Sequence, residues 1–128
     1  MVEPGIKGHK ATMVTEDNIA STVGSGTLPV FATPMMIALI EATASESVAA
    51  VLEDGKSTVG TRLDVAHSAA TPVGMQVDCE TELIEVDRRR LVFKVIVYDS
   101  VGEVGSGIHE RFIVDDAKFM EKATAKLA

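Results

Sequence analysis

"TPMMIALIEATASESVAAVLEDG", residues 33–55, is the stretch that decides the fold. Within it Met36, Leu39, Ile40, Thr43 and Val48 recur at helical spacing, and Ile37 and Val51 widen the apolar surface. Thr33 suits the N-cap, Pro34 the first helical position, and Gly55 the stop. The spacing predicts a helix of about five turns. Because it is apolar on most sides, it needs a sheet to bury it.

Four strand patterns follow. "STVGTRLDVAHSA" (57–69) places Leu63, Val65 and His67 on one side and Arg62 and Asp64 on the other. After the small-residue turn "ATPVG" (70–74) comes "MQVDCETELIEVD" (75–87), in which Val77, Cys79, Thr81 and Leu83 alternate with Gln76, Asp78, Glu80 and Glu82. One wet face and one dry face are the antiparallel habit. The turn "RRR" leads to "LVFKVIVYD" (91–99), and "SVGE" leads to "VGSGIHERFIVDD" (104–116). Short connections predict a meander.

Upstream, "KGHKATMV" (7–14) is a first strand and "TEDNIASTVGSGTLPVFA" (15–32) a long loop with short irregular turns; "AKFMEKATAKLA" (117–128) forms a closing amphipathic helix. A curved antiparallel sheet wrapped around one long helix is the hot-dog architecture, an α+β fold. Its open edge predicts a homodimer. With 128 residues and no composition break, the chain is expected to be a single domain over 1–128.

Composition narrows the function. At a formal net charge of −7 the chain offers no long basic groove, so nucleic acid is not an expected partner. Residues 18–40 carry no charge but are broken by Asn18, three glycine or serine positions at 24–26, Pro29 and Pro34, so no membrane span is expected. One cysteine, Cys79, precludes an internal disulfide, and the N-terminus lacks a signal-peptide core, which together predict a cytoplasmic protein. The three histidines, His9, His67 and His109, show no metal-ligand spacing, and no phosphate-cradling glycine loop or nucleophile elbow is present. No metal and no separate cofactor are expected.

Two ionisable groups stand out. Glu41 has no charged residue within four positions on either side, and a poorly solvated carboxylate serves as a general base near neutral pH. The alternative is that it marks a solvated helix edge or caps a backbone donor. His67 ends the apolar side of its strand, where an imidazole suits proton transfer or, equally, a satisfied core position. Arg88, Arg89 and Arg90 fit a solvated turn.

"FATPMMIALIEATA", "STVGTRLDVAHSAATPVG", "RRRLVFKVIVYDSVGEVGSGIHERFIV" and the later "KF" resemble the fluoroacetyl-CoA thioesterase-like family of hot-dog proteins from Phe31 to Phe119. The resemblance implies hydrolysis of a small acyl-CoA thioester at a homodimer interface, with coenzyme A entering only as part of the substrate. It places the catalytic Thr, Glu and His on Thr33, Glu41 and His67, and substrate contacts on Gly60 and Arg111. Phe31 and Met36 are expected to shape the acyl pocket. Where the fluoroacetyl-specific enzyme has an aromatic gate six positions before the threonine, this chain has Thr27. Fluoroacetyl selectivity is therefore not implied. Two other activities fit the same fold: an acyl-CoA hydratase or dehydratase, and a non-catalytic acyl-CoA binding module.

Overall fold

A computed structural model describes residues 1–128. The chain runs β1 (Lys7–Met13), α1 (Ala20–Val23), α2 (Thr33–Ala49), β2 (Lys56–His67), β3 (Gln76–Asp87), β4 (Arg90–Asp99), β5 (Glu103–Asp115) and α3 (Asp116–Thr124). One antiparallel sheet has the order β1-β3-β4-β5-β2, and α2 lies across its inner face. This is the expected hot-dog arrangement.

The core forms where the helical stripe meets the sheet's dry face. Met36, Leu39, Ile40, Ala44 and Val48 of α2 pack against Val77, Cys79 and Leu83 of β3 and Leu91, Phe93, Val95 and Val97 of β4. Thr43, also buried, returns its hydroxyl to the Leu39 carbonyl at 2.6 Å, so the stripe leaves no open donor there. Cys79 is fully buried, and burial pushes its thiol up to about 11. It is a small core residue rather than a nucleophile.

Three local expectations are corrected. Thr33 does not cap α2: Ala32 holds that position in extended conformation, with no side-chain cap bond, and the Thr33 hydroxyl turns to His67 instead. The helix stops at Ala49, not near Gly55, because Ala50 and the turn after it divert the chain; Gly55, at φ +81°, makes the entry to β2, and Val51 lies exposed beyond the helix.

The meander is limited to β3, β4 and β5. β2 pairs with β5 rather than with β3, so the segment after His67 is not a hairpin turn. Residues 68–75 run as a strap along the strand ends. There Ser68 N–H donates to Val104 O, Thr71 Oγ1 donates to Asp99 Oδ2 at 2.8 Å, and Phe31 N–H donates to Thr71 O. The strap thereby ties β2 to the opposite side of the sheet. It also closes over the start of α2.

At the Asp87–Arg90 hairpin, Arg88 adopts φ +58°. Arg90 pairs with Glu85 and Glu110, while Arg88 is almost wholly exposed, so this turn is a solvated one as its composition predicts. No helix is long and apolar enough to cross a membrane.

Candidate active site

Two clusters of polar side chains lie on the inner side of the fold, both near the free β2 edge. The first sits at the start of α2. Thr33 Oγ1 and His67 Nδ1 are 2.8 Å apart, joining the first helical turn to the last residue of β2. His67 is half-buried; burial lowers its pKa below the ordinary imidazole value, and the Ala69 backbone opposes that in part. The ring is therefore neutral near pH 7, and Nε2 has no hydrogen-bond partner within the chain. A cavity of about 270 Å³ opens here, lined by Phe31, Thr33, His67 and the strap residues Ser68, Ala69 and Ala70. Phe31 is buried and forms its apolar wall.

The second cluster lies two helical turns further along. Glu41 Oε2 accepts from Arg111 Nη1 at 3.2 Å, while the Glu41 side chain stays 40% exposed. Arg111 is a buried cation held on several sides. Its Nε donates to Thr58 Oγ1 at 2.8 Å, Nη2 to Thr58 O at 2.9 Å, and Nη1 lies 3.2 Å from His109 Nε2. Strand register explains the meeting, because Arg111 sits opposite Gly60 on β2, with Thr58 two residues away on the same face. Without that saturation, burying a guanidinium would be strongly unfavourable.

Gly60 makes room for the carboxylate. A Cβ there would lie 2.1 Å from Glu41 Oε2, so only glycine lets Glu41 rest against the strand. The obstructed group is the end of a flexible side chain, which can swing away. Gly60→Ala is therefore expected to change stability by less than about 1 kcal/mol while turning the Glu41 carboxylate away from Arg111. Urea unfolding checks the first half and a structure of the variant the second.

The seven residues singled out from sequence thus fall unevenly. Thr33, His67 and Phe31 share the cavity, whereas Glu41, Gly60 and Arg111 form a separate group. Along α2, Thr33 and Glu41 are roughly 12 Å apart. Met36 faces away from the cavity; it is fully buried, with its sulfur against Gly105, as a core residue. Arg111 points to Glu41 and spends four donor bonds inside the fold, so its work is holding the carboxylate. Thr58 and His109 were missed by sequence reading. The available signal was alternation, since His109 and Arg111 fall on the inward side of β5, where apolar residues belong.

Both imidazoles affect stability in the same direction. The pKa values of His67 and His109 are lowered, chiefly by burial, so between those values and about 6.5 the unfolded chain binds more protons than the folded one. Stability then rises with pH across that window and is lost as pH falls. The melting temperature should drop between about pH 7.5 and about pH 5.5, before the carboxylates titrate. A flat profile over that range would contradict the neutral rings.

A curved sheet around one long helix, with a hydroxyl–imidazole pair at the helix start and a carboxylate further along, defines a hot-dog protein with a candidate catalytic site. The sequence profile of the family described as fluoroacetyl-CoA-specific thioesterase matches residues 14–117. The fluoroacetyl-CoA thioesterase of Streptantibioticus cattleyicolor is 42% identical over 97 residues, covering 76% of this chain and 70% of that protein. A solved structure of the fluoroacetyl-CoA thioesterase FlK superposes with a TM-score of 0.92 at 33% identity, covering 98% of each chain. A thioesterase superfamily member from Thermus thermophilus gives 0.88 at 25% identity, over 99% of this chain and 93% of that one. The chain belongs to the fluoroacetyl-CoA-specific thioesterase family. It is a thioester hydrolase of the hot-dog fold.

Proposed function

We propose that this enzyme hydrolyses a small acyl-CoA thioester in a cleft completed by a second copy of the chain. Thr33 and His67 come from one subunit and face Glu41 of the partner subunit. The observation that carries this reading is the division of the polar residues into two clusters beside an unpaired edge. β2 ends the sheet, and its inward residues Leu63 and Val65 are only half-buried, as is Ile37 on α2. Two β2 edges joined about a twofold axis would cover these groups and set the two α2 helices antiparallel. The start of one helix then lies beside the middle of the other, which removes the separation of roughly 12 Å that one chain imposes.

In that cleft the chemistry divides by residue. The thioester carbonyl lies by the start of α2, where the positive end of the helix dipole and the Thr33 hydroxyl stabilise the developing oxyanion. Glu41 acts as general base on water or adds directly to the carbonyl, and Arg111 keeps its Oε2 turned inward, leaving Oε1 free to react. When the C–S bond breaks, coenzyme A leaves as thiolate; on the direct route the acyl–Glu41 anhydride left behind is then hydrolysed by water, and on either route one of the water's protons reaches the sulfur through the neutral His67 ring. The acid product retains the oxygen delivered from water.

Solved structures of the FlK thioesterase include a complex with fluoroacetate and coenzyme A and one with acetyl-CoA. The similarity supports an acyl-CoA substrate with a short acyl group, and the cavity of about 270 Å³ beside Phe31 fits such a group. Thr27 lies among exposed loop residues, with no aromatic ring at that position to enforce a fluorinated acyl group. The buried thiol and absence of disulfides fit a reducing, cytoplasmic setting.

Thiol release across short, branched and aromatic acyl-CoAs tests the reading. Turnover highest on short acyl groups is expected, with mass in solution equal to two chains. Loss of enoyl-CoA absorbance without thiol release would identify a hydratase instead, and tight binding without turnover would identify a binding module.

A further inference from the structure

His109 is buried completely and takes no part in the proposed chemistry, yet both ring nitrogens are engaged. Nδ1 lies 2.8 Å from the Arg62 carbonyl and Nε2 3.2 Å from Arg111 Nη1. A carbonyl only accepts, so Nδ1 must carry the hydrogen. Nη1 only donates, so Nε2 must present its lone pair. The two partners together select one neutral tautomer, the Nδ1–H form. The ring of Phe93 on β4 lies beside the imidazole, with centroids 6.3 Å apart.

We infer that His109 is a positioning residue: as the Nδ1–H tautomer it accepts a hydrogen bond from Arg111 and so aims the guanidinium at Glu41. The inference rests on the proposed role for Glu41. Arg111 Nη1 has two hydrogens; one goes to His109 and the other is thereby directed to Glu41 Oε2. Thr58 fixes the opposite side of the same plane through its hydroxyl and carbonyl. The guanidinium is gripped at three points, and the fourth is the carboxylate. Arg111 cannot rotate without breaking at least one buried bond.

The charged groups facing this ring are few. Arg111 approaches on its own strand, Glu41 comes from α2, and Glu110 is adjacent in sequence on the other face of β5. From β2 comes a backbone carbonyl, and from β4 an uncharged aromatic ring. Protonating Nε2 would set an N–H against the Arg111 N–H and place two cations together. The Arg111–His109 bond would then be lost and Glu41 released from its orientation.

Two measurements test this on the full chain. In protein labelled with nitrogen-15 at histidine, His109 near neutral pH is expected to show a protonated Nδ1 and an unprotonated, hydrogen-bonded Nε2. The Nε2–H form or a doubly protonated ring would overturn the inference. This result stands apart from activity, so it decides the point even if no acyl-CoA is hydrolysed. The second measurement compares His109→Leu with His109→Gln. Leucine fills the space without an acceptor, whereas the glutamine amide oxygen reaches toward Arg111. His109→Leu should lower kcat by about 10- to 100-fold with KM within about twofold, and His109→Gln should restore most of the loss. A mere space-filling role predicts the reverse order, with leucine the better replacement. If the leucine variant fails to fold, the ring-nitrogen result alone decides.

Discussion

Glu41→Gln should lower kcat by about 10²- to 10⁴-fold while KM changes little. The replacement keeps the shape of the side chain and a carbonyl oxygen for Arg111 Nη1, so the second cluster retains its geometry. It removes the negative charge needed either to take a proton from water or to attack the carbonyl. In barrier terms the loss is about 3 to 5 kcal/mol. A variant that keeps at least half of wild-type turnover would remove Glu41 from the reaction.

His67→Ala is expected to produce a loss of similar size, about 10²- to 10⁴-fold in kcat/KM, with a distinct pH signature. Burial holds the wild-type imidazole neutral near pH 7, so the active form is the unprotonated one. As pH falls below about 6.5 and through the depressed pKa, the ring gains a proton, and wild-type kcat/KM should fall with it. The alanine variant has no such ring, so that part of its acid limb should flatten. Its residual rate reports the helix start, Thr33 and Glu41 acting alone. An unchanged acid limb would assign the proton transfer to another group.

The residues that made the fold legible are those with strong periodicity. Met36, Leu39, Ile40, Thr43 and Val48 mark the buried stripe of α2, and alternation through Val77, Cys79, Thr81 and Leu83 marks the dry face of β3. Strand order was not legible, because pairing depends on contacts distant in sequence. The small residues after His67 look like a hairpin turn, yet Thr71 and Ser68 bond to the ends of β4 and β5. Local turn chemistry cannot tell a hairpin from a strap that crosses the strand ends.

The site was legible only in part, and for a similar reason. Glu41 stands out by its uncharged surroundings, but its partner Arg111 is 70 positions away. Arg111 in turn sits in a strand pattern that places it inward, where a charge is costly unless saturated. Thr58 and His109 supply that saturation, and neither carries a motif of its own. Thr33 looked like an ordinary cap. Its hydroxyl is instead committed to His67, a contact no local rule contains.

Mixing the Glu41→Gln and His67→Ala proteins, after reversible dissociation and reassembly, measures the cleft itself. If His67 of one subunit works with Glu41 of the partner subunit, each mixed dimer contains one intact cleft. A one-to-one mixture should then regain about a quarter of wild-type thiol release, since about half of randomly formed dimers are mixed. Activity that stays at the level of the separate variants, in a mixture shown to contain mixed dimers, would contradict a cleft shared between subunits.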